Sequence, residues 1–325
     1  MLLSFFTTYH LEALELDPFP LPEVSRDEFS ISFFREERPS FYWLNAGVPD
    51  TFFNPVSVVS LSPNLVYSIR TIEYGARVQG WVTDQLNLRI TFPFEGNALE
   101  DTGSVNSAGA TVNATHSAEK FGDIEVAGTY LLVGKWEKGN YIGLDGWYRF
   151  PTGSNPFYQS YPLLGTGVGA ARQAIGLVME QEAYGFSFFQ SLNYETTDPV
   201  HLNATSYLGA GTFHWPDDWF TSLRVSYQLY KLGQRAVSVY WMVRSRISGL
   251  MTFNGQVLSY GENKNPLNYG MTTDELTTST FGMDVQVDKT FSVDGQLIYF
   301  PWYFGGIGRP NQGWMFNLSM DFKPL

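Results

Sequence analysis

Hydrophobic and polar residues alternate along most of this chain. Between residues 85 and 93, Leu86, Leu88, Ile90 and Phe92 occupy every second position, with Asn87, Arg89 and Thr91 between them. Successive side chains of a strand point to opposite faces, so this segment predicts a strand with one apolar and one polar face. The same period recurs downstream. Ile124, Val126, Tyr130 and Leu132 oppose Glu125 and Thr129, and Ile142, Leu144, Tyr148 and Phe150 oppose Asp145 and Arg149. Leu223, Val225, Tyr227 and Leu229 oppose Arg224, Ser226 and Gln228. Val237, Val239, Trp241 and Val243 oppose Ser238, Arg244 and, further on, Arg246. Phe281, Met283, Val285 and Val287 oppose Asp284, Gln286 and Asp288, and Trp314, Phe316, Leu318, Met320 and Phe322 oppose Asn317, Ser319 and Asp321.

Two architectures accommodate such strands. A soluble sandwich turns its apolar faces onto a second sheet. A membrane barrel turns them to lipid and its polar faces inward. The runs are about 10 residues long, the length a tilted strand needs to cross a bilayer. Aromatic residues cluster near their ends (Tyr130, Trp136, Tyr141, Trp147, Trp215, Trp219, Tyr240, Trp241, Trp302, Tyr303, Trp314), as an interfacial girdle requires. A mean hydropathy of −0.14 in a chain that is 17% aromatic fits a barrel with a polar interior. The barrel is the favoured expectation.

The connections sort into short joins (83–85, 135–140, 183–185, 214–218, 248–249, 292–294) and longer ones (95–120, 152–167, 262–278, 304–311, with brief members at 197–199 and 231–233). Short turns on a periplasmic rim and longer loops outside characterise outer-membrane barrels. Residues 101–118, rich in Gly, Ser, Asn, Ala and Thr, read as a surface loop. The expected fold is therefore all-β: a single antiparallel transmembrane β-barrel of about 14 strands, or about 12 if a strand has been split, since closure favours an even number. The barrel is expected over residues 28–325, after an extended, proline-containing segment at 1–27 that serves as a tail or a plug. Residues 170–183 are the one stretch whose composition suggests a helix. Met1 to Phe6 resemble a fragment of an apolar export-signal core.

Composition removes several functions. The 325 residues carry 20 Lys and Arg against 32 Asp and Glu, a formal charge of −12, and nucleic acid demands the opposite sign. With no cysteine there is no disulfide, no thiolate metal site and no Cys nucleophile. The four histidines (His10, His116, His201, His214) are scattered and form no metal-binding spacing. Gly165-Thr166-Gly167-Val168-Gly169 resembles a dinucleotide fingerprint, but no strand–loop–helix unit surrounds it, so a glycine-rich loop is the better reading. Asp217 and Asp218 read as solvated turn residues beside Trp215 and Pro216. No hydrolase, zinc-protease or phosphate-loop motif is present, so no enzyme, cofactor or metal is expected.

Several short motifs, in order, resemble the MetA-pathway phenol-degradation family of transporter-like outer-membrane barrels. They are Tyr74-Gly75, Trp81 to Leu88, Phe121-Gly122-Asp123-Ile124, Phe150-Pro151-Thr152-Gly153, Gly165-Thr166-Gly167, and more loosely Tyr184-Gly185 with Leu192-Asn193-Tyr194. The resemblance covers roughly residues 63–325. It implies a bacterial outer-membrane barrel akin to fatty-acid and aromatic-hydrocarbon uptake barrels, and no catalytic residue.

A charge facing mid-bilayer lipid costs about 2–4 kcal/mol, so charges on the polar strand faces should point inward. The expected lumen-lining set is Arg89, Glu125, Asp145, Arg149, Arg172, Glu180, Arg224, Arg244, Arg246, Asp284 and Asp288. Arg172 and Glu180 leave the set if their segment is helical. These charges either pair and fill the lumen, or Arg224, Arg244 and Arg246 form a constriction selecting anions. Phe189, Tyr230 and Tyr240 are candidates for an apolar path. The leading functional expectation is passage of a small hydrophobic or aromatic solute, with outer-membrane lipid and that solute as the partners. A structural barrel that sheathes or docks a partner protein, such as a redox conduit subunit, is the second reading, and a secreted soluble β-sandwich binding protein is the third.

Overall fold

A computed structural model describes residues 29–45, 65–105, 111–135, 139–158, 165–206, 208–233, 235–249, 252–257, 274–288, 292–304, 308–310 and 313–315. The tail or plug expected at residues 1–27 lies outside them. The strands, in chain order, are β1 (Phe29–Asn45), β2 (Leu65–Trp81), β3 (Leu86–Val105), β4 (Thr111–Phe121), β5 (Glu125–Lys135), β6 (Asn140–Arg149), β7 (Arg172–Ala183), β8 (Phe186–Thr197) and β9 (Val200–Leu202). They continue with β10 (Gly211–His214), β11 (Asp218–Leu232), β12 (Arg235–Ser248), β13 (Thr252–Phe253), β14 (Gln256–Val257), β15 (Asp274–Gln286), β16 (Ser292–Phe304), β17 (Gly308–Pro310) and β18 (Gly313–Met315).

Every ladder is antiparallel. The wall runs from β1 through β2, β3, β5, β6, β7, β8, β11, β12 and β15 to β16. The C-terminal stretch then joins both edges: β18 pairs with β16, and β17 pairs with β1. β4 and β5 lie along the same side of β3, which pairs with β4 at Phe94–Val105 and with β5 at Leu86–Thr91. Counting β4 with β5 and β17 with β18 gives twelve strands around the wall among the described residues, the smaller of the two expected counts. The two surplus strands have a physical origin. Segments near residues 200–214 and 252–257 look like further wall strands in sequence, yet β9, β10, β13 and β14 pair with one another in a separate small sheet.

That sheet also corrects the sorting of the connections. At one rim β2 meets β3, β5 meets β6, β7 meets β8, β11 meets β12 and β15 meets β16, each pair separated by five residues or fewer in sequence. At the other, β1 meets β2, β3 meets β4, β6 meets β7, β8 meets β11 and β12 meets β15. The join at 231–233 thus belongs with the short turns, and those at 214–218 and 248–249 with the long loops. Tyr184 and Gly185 show why two residues suffice on the short rim. Both have positive φ (54° and 81°), the backbone condition for a type I′ turn, which matches the strand twist.

Residues 170–183 are not helical. From Arg172 onward they form β7, paired along its length with β6 and β8. Ala, Gln, Leu, Met and Glu favour a helix in isolation, but β7 has a strand on either side to take up its backbone hydrogen bonds, and tertiary pairing overrides propensity. No α-helix occurs among the described residues; the one helical turn is the 3-10 segment Pro156–Tyr158.

The polarity of the wall is inverted relative to a soluble domain. Leu88, Ile90, Phe92, Val126, Leu132, Ile142, Leu144, Leu177, Leu192 and Phe281 are exposed, while Glu73, Arg89, Glu125, Asp145, Arg149, Asn193 and Glu195 are buried. Water would reject that arrangement, and a hydrocarbon surround requires it. Only part of the expected aromatic girdle faces outward. Tyr130, Trp219 and Trp241 do, whereas Tyr141, Trp147, Trp215 and Tyr240 are buried. A Cβ on Gly282 would fall inside the Tyr240 ring, so glycine there lets Tyr240 cross β15 and donate its hydroxyl to Asp294 of β16 at 2.8 Å.

Candidate functional site

The buried face of the wall has two chemically distinct parts. The first is a charge cluster running from β3 to β12. Arg89 of β3 reaches Asp145 of β6 at 3.4 Å and Glu125 of β5 at 3.8 Å. Glu125 also accepts from Arg149 Nε at 2.9 Å, and the Arg149 guanidinium lies 4.3 Å from the centre of the Trp147 ring. Arg172 of β7 donates to Glu195 of β8, and Arg246 of β12 faces Asp218 of β11 at 3.4 Å. Thr129 donates its hydroxyl to Asp145, and Ser191 hydrogen-bonds Ser222. Arg89, Arg149, Arg172 and Arg246 thus meet Glu125, Asp145, Glu195 and Asp218 in equal numbers. Burial of charge is tolerable only when each is paired and hydrogen-bonded. The cluster neutralises itself.

The second part is apolar. Trp81, Leu131, Tyr141, Val178 and Phe189 form a buried cluster, in phase along their strands with the polar residues above. Trp81 ends β2, Tyr141 is the second residue of β6 and Phe189 is the fourth residue of β8, so this patch sits toward the short-turn rim. Glu125, Arg149, Arg172 and Asp218 all stand at strand ends on the long-loop side. Most of the paired charge therefore lies toward one end of the buried face and most of the apolar surface toward the other, with Glu180 the exception, set between Tyr141 and Phe189.

Of the residues expected on this face, Arg89, Glu125, Asp145, Arg149, Arg172, Glu180, Arg244 and Arg246 are buried and Arg224 and Asp284 are half-buried. Glu180 accepts from Ser187 Oγ at 2.6 Å. Asp288 is a correction: it lies beyond the end of β15, exposed on the short turn, where alternation no longer assigns a face. The arginine trio does not act as one. Arg246 is taken up by Asp218, and Arg224 lies 3.8 Å from the centre of the Tyr240 ring. Among the aromatic candidates, Phe189 and Tyr240 are buried but Tyr230 is 50% exposed. A bulge between Gln228 and Tyr230 reverses the phase of β11 there.

Sequence reasoning missed several residues. Asp217 is exposed and accepts from Tyr194 Oη at 2.8 Å, as a turn residue should, but Asp218 is wholly buried as the first residue of β11. Its signal was the two-residue phase shared with Phe220 and Ser222. Glu73, Gln79, Asn87, Glu95 and Glu195 are also buried. The β2 members were hidden because Gly75 and Ala76 break the apolar run.

Over the long-loop rim, Phe157, Phe213 and Trp215 pack together, with Phe157 4.7 Å from Phe213 and 5.7 Å from Trp215 between ring centres. Asp123, in the break between β4 and β5, lies below them; burial pushes its carboxyl up, opposed by hydrogen bonds from the amides of Gly153 and Val168. Among the described residues no cluster of His, Asp or Glu is arranged to hold a metal ion.

No family model matches the chain, and no curated protein matches it. Among solved structures it is similar to an outer membrane channel from Pseudomonas putida F1, at 12% identity over 95% of this chain and 100% of that one, with a TM-score of 0.63. Looser likenesses are the beta domain of the Bordetella autotransporter BrkA (12% identity, 91% and 98% covered, TM-score 0.41) and a Pseudomonas aeruginosa FadL homologue (9% identity, 90% and 86% covered, TM-score 0.35). The fold is that of the bacterial outer-membrane β-barrels, and the apolar belt seats the chain in that membrane.

Proposed function

We propose that the chain is an outer-membrane channel whose interior passes a small hydrophobic or aromatic solute. The observation that carries this reading is the buried patch of Trp81, Leu131, Tyr141, Val178 and Phe189 on a face that should otherwise be polar. A water-filled pore for ions has no use for a tryptophan and two further rings on its inner side. A solute with a ring or a short alkyl body gains contact there while it leaves water. The resemblance to phenol-degradation transporter-like barrels supports the same class of solute.

Arg89, Glu125, Asp145, Arg149, Arg172, Glu180, Arg224, Arg244, Arg246 and Asp284 line the lumen in this reading. Most of these charges are matched by opposite charges, so they brace the wall and select weakly by ionic charge. Charges that pack on one another also speak against a barrel that encases a partner protein. The test is uptake of a small phenol into liposomes carrying the purified chain, with intrinsic tryptophan quenching as a second signal. Flux above empty liposomes that falls when Trp81 is replaced by Ala supports the reading; flux no greater than in empty liposomes ends it.

A further inference from the structure

Three short motifs far apart in the chain, at residues 121–124, 150–153 and 165–167, meet at one point of the long-loop rim. Asp123 stands at its centre. Its Oδ1 accepts the N–H of Gly153 at 2.8 Å, and its Oδ2 accepts the N–H of Val168 at 3.1 Å. Thr152 Oγ1 donates to the carbonyl of Gly122 at 2.8 Å and accepts the N–H of Ile124 at 2.9 Å. Thr166 Oγ1 donates to the carbonyl of Phe121 at 2.7 Å and accepts the N–H of Ser154 at 3.1 Å. Both ends of the 150–171 loop are thus tied to a break in the wall. Gly167 is required for the approach, because a Cβ there would stand 2.5 Å from Asp123 Oδ1 and 2.9 Å from the Cα of Gly153.

The tie extends to the neighbouring loop. Trp215 Nε1 donates to the carbonyl of Val168 at 3.0 Å, and the same indole packs on Phe213 and Phe157. Phe213 lies in β10, part of the small sheet built from loops 198–217 and 249–257. Three loops therefore hang on one junction. Beneath them, Glu125, Arg149, Arg172 and Asp218 at the strand ends are no more than 4% exposed. An open mouth would wet those charges, so the loops form a cap above them.

We propose that Asp123 is a positioning residue that moors this cap, and that the moored cap limits passage through the barrel. The second half rests on the channel reading above. A carboxylate suits the task because it offers one oxygen to each of two N–H groups from opposite ends of a loop. Removing it leaves two buried donors without their acceptor, the costly way to break a hydrogen bond.

The test uses the full chain in lipid. Its lack of cysteine makes a single introduced thiol unambiguous. Val168→Cys places one in the cap, where Val168 is buried, and Tyr184→Cys places a control on the fully exposed short turn. Loss of two charge-assisted bonds should raise cap opening, and with it maleimide labelling at position 168, by roughly tenfold to a hundredfold in an Asp123→Ala background. Labelling at position 184 should not change. Thr166→Val, which cuts the same junction at a different atom, should act in the same direction, and both variants should keep the heat-modifiable gel shift of a closed barrel. Potassium chloride conductance across planar bilayers should rise with labelling. Unchanged labelling at 168 in both variants overturns the mooring, and faster labelling with wild-type conductance unchanged overturns the limit on passage. If labelling accelerates while no form of the chain passes ions or phenol, the channel reading fails and the mooring of the cap stands.

Discussion

The two ends of the barrel interior solve the same problem with different chemistry. Toward the long-loop rim the inner side chains are mostly charged, buried and paired; toward the short-turn rim aromatic and aliphatic side chains gather around the single carboxylate of Glu180 and the amides of Gln79 and Asn87. A charge pair removed from water holds only while both members are present, so the first end is intolerant of single changes. An apolar patch gives contact without partners of fixed geometry, so in the proposed channel the second end is the one suited to admit a solute and close again after it. Under the proposed channel function, the difference gives rigidity to one end and passage chemistry to the other.

Breaking the charged end should have the largest effect. Glu125→Ala removes a buried partner shared by Arg89 and Arg149, and should cost about 3–5 kcal/mol of folding free energy, read as a lower urea midpoint in lipid vesicles. On the outer face, Leu177→Arg at an exposed position of β7 should cost about 2–4 kcal/mol by the same assay. At the apolar end, Phe189→Leu keeps an apolar side chain and should cost less than about 1.5 kcal/mol. It should nevertheless weaken tryptophan quenching by a phenol, which Glu125→Gln should leave nearly unchanged. The smallest effect sharpens the contrast from the other side. Replacing Arg172 and Glu195 together by Met and Leu removes both charges at once, and should leave the urea midpoint at or above that of the wild type.

The two ends were unequally legible in the sequence. Where strands alternate strictly, as in β3, β6 and β12, a single residue fixes the face of all the others, so Arg89, Asp145, Arg149, Arg244 and Arg246 could be assigned to one common face, the buried one, from sequence alone. The pairing was not legible, because Arg89 and Asp145 are 56 positions apart and meet through strand stagger. Phase also fails where it is interrupted. The bulge in β11 sends Tyr230 outward, Asp288 lies past the last rung of β15, and Asp218 looked like its solvated neighbour Asp217. The short strands near residues 200–214 and 252–257 carry wall-like composition, yet they pair with one another in the cap. Composition cannot distinguish a strand that finds a wall neighbour from one that finds another loop. The motifs around Asp123 were visible as words but not as a junction, since two backbone N–H groups supply its partners and leave no side-chain signature.

The most direct measurement of the central claim is a pair of nitroxide labels on β11, at Val225→Cys and Ser222→Cys, with the chain reconstituted in lipid. Alternation places Val225 on the outer face, while Ser222 is buried with Ser191. The label at 225 should relax strongly with dissolved oxygen and weakly with a water-soluble nickel complex, and the label at 222 should respond little to either. A label at 225 that is shielded from oxygen, packed as though against a second protein layer, would contradict the barrel and everything built on it.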